Sequence, residues 1–256
     1  MTVTSSDAEL AGRLATEAGN LLVELRSDPS LNGKELGKAG DLRSNEFLLD
    51  ALARERPGDS VLSEESADDL SRLDADRVWI VDPVDGTKEY GLDDHTDWAV
   101  HVALWEKGLG LTVGAVSLPG LGVTYVNDGA PVPPTTGLAR TPRGDNPRVV
   151  ISGSRPPAFA ESVATAIGGE LLPMGSAGAK AMAVVRGEAD AYVHAGGQYE
   201  WDSAAPVAVA KSQGLWCSRI DGLSLEYNQR DVYLPDLVIC RPELAEQILD
   251  VTRAAG

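Results

Sequence analysis

The order of elements along this chain predicts an α+β fold. Two helical patterns come first, a block of strands follows without alternating helices, and a mixed second half begins after a Pro/Gly-rich break. Ser6-Asp7-Ala8-Glu9 has the capping-box pattern. Leu10, Leu14, Ala18, Leu21, Leu22 and Leu25 then recur at helical spacing, which predicts a helix over 7–26. The stretch 29–40 holds Pro29, Gly33, Gly37 and Gly40 and reads as a loop. Asp41 is placed to cap a second helix that carries Phe47, Leu48, Ala51 and Leu52 and ends at Pro57-Gly58.

Val61-Leu62 reads as a short strand leading into Ser63-Glu64-Glu65-Ser66, and Val78-Trp79-Ile80-Val81 as a buried one. Trp98–Trp105 and Leu111–Leu118 read as antiparallel neighbours, with a third strand at Gly122–Asn127. Eight Pro and Gly residues crowd 129–147, the best boundary in the chain. It predicts units at 1–135 and 145–256. In the second unit, strands are predicted at Arg148–Ile151, Glu170–Leu172 and Ala191–His194. Helices are predicted at 158–167, from Ala177 to Arg186, from Asp202 to Ser212 with Pro206 in its first turn, and from Arg241-Pro242-Glu243 onward.

The most informative segment is Asp82-Pro83-Val84-Asp85-Gly86-Thr87, directly after the 78–81 strand. Two carboxylates three positions apart suit a hard divalent cation, and the bare backbone around Gly86-Thr87 suits an anion. That pairing is the requirement of a metal-dependent phosphatase. Glu64 and Glu65 follow a strand that can lie beside the 78–81 strand, and Asp202 opens a later helix. Gathered together, these acids offer enough oxygen ligands for two Mg²⁺ ions. Taken singly, each has an ordinary reading: Asp202 and Asp41 as helix caps, Glu64-Glu65 as a solvated turn, Asp85-Gly86 as a turn pair. Haloacid-dehalogenase-type phosphatases carry Asp-x-Asp-Gly-Thr with a nucleophilic first Asp. Here two residues separate the aspartates, so no aspartyl-phosphate is expected.

Composition sets the outer limits. The 256 residues carry 22 basic and 39 acidic side chains, a formal charge of −17. That excess argues against a nucleic-acid polymer as partner, but not against a small anionic substrate, because bound cations reverse the local sign. No apolar run has the length of a membrane span, and Met1-Thr2-Val3-Thr4-Ser5-Ser6-Asp7 has no signal-peptide pattern. A cytoplasmic location is expected, with Cys217 and Cys240 as buried free thiols.

The set Ser63-Glu64-Glu65-Ser66, Trp79-Ile80-Val81-Asp82-Pro83-Val84-Asp85-Gly86-Thr87 and Trp201-Asp202-Ser203-Ala204-Ala205 resembles the inositol monophosphatase superfamily. Within it, Lys88-Glu89-Tyr90, the run from Gly175 to Lys180 and the stretch Ala195–Asp202 resemble the CysQ-type 3′(2′),5′-bisphosphate nucleotidases. The resemblance implies a layered αβαβα sandwich of the inositol monophosphatase/fructose-1,6-bisphosphatase type, with the metal site between the two units. It implies that Glu64, Asp82 and the Val84 carbonyl hold one Mg²⁺ and that Asp82, Asp85 and Asp202 hold a second. A third, weaker ion would use Glu64 and water. Thr87, hydrogen-bonded to Asp41, would help Glu64 orient and deprotonate the attacking water. The Gly86 and Thr87 amides would bind the scissile phosphate.

Substrate contacts are assigned to Asp85, Gly86, Thr87 and Asp202, with Lys180 first and Arg155 second for a 5′-phosphate. The reaction implied is loss of the 3′-phosphate from 3′-phosphoadenosine 5′-phosphate, and by extension from 3′-phosphoadenylyl sulfate, with lithium sensitivity and a homodimer as family expectations. The alternatives are inositol monophosphate or fructose 1,6-bisphosphate as substrate and, in another class, a non-catalytic nucleotide or Mg²⁺ sensor. Two departures stand out. The family's Thr-x-x-Asp appears as Lys38-Ala39-Gly40-Asp41, and a Ser-Ser pair in the nucleotidase loop appears as Ala177-Gly178. His95, His101 and His194 match no required role and are read as structural.

Overall fold

The computed structural model describes residues 6–128 and 146–255. Most of the expected boundary segment 129–147 lies outside them. In chain order the elements are helices α1 (Asp7–Arg26) and α2 (Gly33–Glu55), strands β1 (Ser60–Ser63) and β2 (Arg77–Asp85), helix α3 (Thr87–Tyr90), and strands β3 (Ala99–Glu106), β4 (Gly110–Leu118), β5 (Val123–Val126) and β6 (Arg148–Ser152). Then follow helix α4 (Ala160–Ala166), strand β7 (Glu170–Met174), helix α5 (Ala177–Val185), strand β8 (Ala191–Ala195), helix α6 (Glu200–Ser212), strands β9 (Trp216–Ser218) and β10 (Asp236–Cys240), and helix α7 (Ala245–Ala255).

The strands form two mixed sheets, ordered β1-β2-β3-β4-β5 and β7-β6-β8-β10-β9. β1 lies parallel to β2, and β7 and β8 lie parallel to β6; the other pairs are antiparallel. α1 and α2 cover the outer face of the first sheet, α4 and α7 pack beside the outer face of the second, and α5 and α6 fill the space between. The five layers are those of an αβαβα sandwich. Buried on both faces, the first sheet reads as a near-continuous apolar run. Trp79 and Val81 point to the α1/α2 cluster, and Val78 and Ile80 to the α5/α6 cluster.

α1 forms over the expected residues, with Ser6 and Glu9 closing the capping box. α2 does not. It begins at Gly33 with Asn32 as its N-cap, so 29–40 is mostly helix and Asp41 lies inside it. The glycines that suggested a loop are contact points instead. A Cβ at Gly37 would lie 2.9 Å from Thr87 Cγ2, and one at Gly40 would lie 2.6 Å from Tyr90 Cε1. The helix accepts their poor propensity so that α3 and the Asp85-Gly86-Thr87 turn can press against it.

Other departures from the sequence reading are smaller. β2 runs through the Asp82–Asp85 segment instead of ending before it. α6 begins at Glu200, so Pro206 falls beyond its first turn and cannot supply the usual i+4 amide to the Asp202 carbonyl. Strands β9 and β10 were not expected. They bring Cys217 opposite Ile239, beside Cys240, and both thiols are free.

Replacing a helical glycine by alanine ordinarily stabilises by about 1 kcal/mol. Gly40→Ala is expected to do the reverse, by about 1–3 kcal/mol, because its methyl meets a buried tyrosine ring. Urea melts of the two proteins check the sign.

Candidate active site

A regular strand alternates its side chains, so residues 82 and 85 should point to opposite faces. They do not, because β2 carries an irregularity between them. Asp82 pairs with His101 and Asp85 with Ala99, leaving two residues of β2 opposite Val100. This bulge inverts the phase of the strand. Asp82 follows Ile80 toward the central layer, Val84 turns to the α1/α2 cluster, and Asp85 returns to the central layer beside α5. Pro83 sits in the bulge, where its missing N–H costs no ladder bond.

α6 delivers the third acid. One carboxylate oxygen each from Asp82, Asp85 and Asp202 lies within 4.8 Å of the others. Asp82 and Asp85 are buried, and Asp202 is partly so. Glu64 approaches from the loop after β1, and its carboxyl meets that of Asp82. Burial and mutual repulsion raise the proton affinity of this group. Asp202 is pushed up to about 7 by burial and the charge of Asp85. Asp82 is pushed well up by burial and by Glu64, Asp85 and Asp202. Glu64 rises to about 7, first by burial of its carboxyl and then by Asp202. Its residue surface is exposed, so water relieves part of that shift.

Asp85 behaves differently. Burial alone would raise it, but His101, Lys180 and Ser176 hold it well below the usual carboxylate range. Ser176 Oγ donates to it, as do the amides of Ala177 at 3.0 Å and Gly178 at 2.6 Å. Asp85 therefore sits on the N-terminus of α5, where unpaired amides favour an anion. The donor set, buried oxygens short of positive charge, fits a hard divalent cation.

α2 supports the site from the other side. Asp41, Ser44 and Asn45 project toward one edge of it, as the helical repeat requires. The Thr87 hydroxyl lies 3.3 Å from Asp41 Oδ1 and 3.0 Å from the Val84 carbonyl. Ser44 donates to the Pro83 carbonyl, and Asn45 bonds both Ser63 and Ser66, bracketing Glu64-Glu65. Asp41 is pushed up to about 6 by burial and the nearby Glu65 charge, against the Thr87 bond. Gly86 takes a left-handed conformation (φ 84°) between Asp85 and Thr87.

Lys180 is not the exposed helix lysine that its sequence position allowed. It is buried, with Nζ donating to the carbonyls of Gly175 and Ser176, and burial brings it down to about 8. Arg155 is exposed and stands against Gly197, near Tyr192 and His194. His101 needs the clearest correction. It is fully buried, with Nδ1 donating to the Trp201 carbonyl at 3.0 Å and Nε2 lying 3.3 Å from Asp85 Oδ2, off hydrogen-bond alignment. Its only sequence signal was a histidine in an apolar strand. His194 is buried and bonds the Gly196 carbonyl, and His95 is exposed beside Asp97.

Sequence reading also missed a fastening beneath α6. Glu200 accepts the amides of Asn228 and Gln229, while buried Arg72 joins Asp68, Asn228 and the Gln229 carbonyl. This network ties the segment after Glu64-Glu65 to the helix that bears Asp202.

Residues 5–255 match the model of the inositol monophosphatase family. A protein of Mycobacterium leprae named 3′-phosphoadenosine 5′-phosphate phosphatase is 47% identical over 261 residues, covering 97% of this chain and 94% of the relative. Its namesake in Mycobacterium tuberculosis (strain CDC 1551 / Oshkosh) is 48% identical over 239 residues, covering 91% and 88%. The crystal structure of CysQ from Bacteroides thetaiotaomicron, 24% identical, superposes with a TM-score of 0.76 over 92% of this chain and 97% of that one, and so shares the fold. The chain belongs to the inositol monophosphatase family.

Proposed function

We propose that this protein is a Mg²⁺-dependent phosphatase that removes the 3′-phosphate of 3′-phosphoadenosine 5′-phosphate, releasing AMP and phosphate. The observation that carries the reading is the cluster of buried Asp82 and Asp85 with partly buried Asp202, in a chain nearly half identical over most of its length to relatives named for that activity. Glu64, Asp82 and the Val84 carbonyl would hold one Mg²⁺, and Asp82, Asp85 and Asp202 a second, with Glu64 and water for a third. Bound there, the ions supply a lowered pKa for water and neutralise charge on the phosphoryl and leaving oxygens.

The chain's own groups do the rest. Thr87 shares its one hydroxyl hydrogen between Asp41 and the Val84 carbonyl, so its oxygen is left to accept a hydrogen bond from the attacking water. Glu64 takes the proton from that water. The Gly86 and Thr87 amides hold the phosphate for attack in line with the departing 3′-oxygen. With the Lys180 ammonium engaged by two carbonyls, exposed Arg155 is the better candidate for the 5′-phosphate. The same reading keeps units at 1–135 and 145–256. The first sheet draws on 60–126 and the second on 148–240, which supports that division.

Phosphate release from 3′-phosphoadenosine 5′-phosphate, inositol 1-phosphate and fructose 1,6-bisphosphate at equal concentration tests the substrate. The nucleotide should be turned over fastest, and a tenfold advantage for inositol phosphate would overturn the assignment. Asp82→Asn should cut Mg²⁺-dependent release by about a hundredfold or more with the circular dichroism spectrum unchanged. Undiminished turnover would sink the metal mechanism.

The acids also link metal to stability. In metal-free protein, Asp202 keeps its proton up to about pH 7, whereas the unfolded chain releases it near pH 4. This contribution is present in full below pH 4 and is lost as pH rises through 7. The Tm difference between Mg²⁺ and EDTA should therefore be wider at pH 8 than at pH 5.5. At a hundred times Kd it corresponds to about 2.7 kcal/mol, roughly 5–10 °C in a domain of this size.

A further inference from the structure

We propose that His101 is a positioning residue that fixes the orientation of Asp85 and ties it to the helix bearing Asp202, and that residue 178 is glycine because the His101 ring occupies the space of its side chain. The inference rests on the reading of Asp85 and Asp202 as metal ligands.

Three elements meet on this imidazole. It comes from β3, opposite Asp82, and has no exposed surface. Nδ1 must be the donor toward the Trp201 carbonyl, since a carbonyl only accepts. That bond fixes the ring plane. Nε2 then faces Asp85 Oδ2 at 3.3 Å. Trp201 immediately precedes Asp202, so one rigid ring spans the gap between the β2 carboxylate and the base of the third acid. Packed against Oδ2 without a hydrogen bond, the ring keeps Asp85 from turning away from the α5 amides, as a supporting group behind a metal ligand does.

Gly178 completes the arrangement from α5. Its amide donates to the same Asp85 oxygen at 2.6 Å. A Cβ placed on it would lie 2.2 Å from His101 Nε2 and 3.0 Å from Ala99 Cβ, a separation at which one side must move. Neither side has room. The imidazole is held by Trp201 and is part of the packed central layer, while the 178 backbone is pinned to Asp85 at the start of α5. The departure of Ala177-Gly178 from a Ser-Ser pair thus has a steric cause. The space that a second serine side chain would take is filled by the histidine, and only glycine lets the amide and the imidazole approach Asp85 together.

The test measures Mg²⁺ binding directly, as the rise of Tm with Mg²⁺ concentration, beside phosphate release from 3′-phosphoadenosine 5′-phosphate. His101→Asn keeps a donor for the Trp201 carbonyl but is too short to reach Asp85, so it separates folding from positioning. It should melt near the wild-type temperature without metal, yet need about tenfold or more Mg²⁺ for half of the full shift. At saturating Mg²⁺ its KM should change less than its kcat. Gly178→Ala should show the same weakening of Mg²⁺ binding. Combined with His101→Ala, it should cost much less than it does alone, because the methyl then enters the space the ring vacates and keeps only its contact with Ala99. Unchanged Mg²⁺ dependence in His101→Asn, or losses that simply add in the double variant, would overturn the proposal. A wild-type protein whose Tm ignores Mg²⁺ would instead overturn the metal reading beneath it.

Discussion

One extra residue in β2 governs the chemistry of this protein. Two aspartates three positions apart on an ordinary strand would be divided between two faces, one of them among the apolar side chains under α1 and α2. The bulge between Asp82 and Asp85 sends both into the central layer and gives Val84 to the apolar side. Asp202 can then join them only because α6 packs closely on the same sheet. Small residues make that approach possible: Gly114 of β4 has the Ala205 carbonyl and Ala208 methyl where its own side chain would be.

The surroundings divide the acids into two kinds. Asp85 is neutralised by protein, through α5 amides, Ser176, His101 and the charge of Lys180. Among the described residues, Asp82 and Asp202 each accept one backbone amide, and with Glu64 they are left with a raised affinity for positive charge. A fold that buries acids this way is strained electrostatically until a cation arrives. Lys180 serves Asp85 without occupying the cleft, since two carbonyls hold its ammonium back.

Much of this was legible in advance. The order of elements gave α+β, the αβαβα layering was implied by the resemblance of three motifs to a known family, and the gathering of Asp82, Asp85 and Asp202 was expected from residue types that admit few other uses together. The failures cluster where a residue answers to a distant neighbour. Gly37 and Gly40 read as loop because their real reason, the contact with Thr87 and Tyr90, is not local. Asp41 read as a cap for the same cause, and its position inside α2 is what leaves its carboxyl for Thr87. β9 and β10 escaped notice because short strands in a covered sheet carry no clear alternation.

The sequence by itself determined which groups this protein has for its work: a set of oxygen ligands, a glycine beside them that bares the backbone, and an acidic balance that only cations could make hospitable to phosphate. Tertiary structure alone decided which of those groups stand free and which are spent. Lys180 became a buried brace, Arg155 stayed exposed, and His101, silent in the sequence, came to rest between two of the acids. The physical reason is that residue type sets what a side chain can bind, whereas burial, strand phase and the packing of separate elements set what it meets.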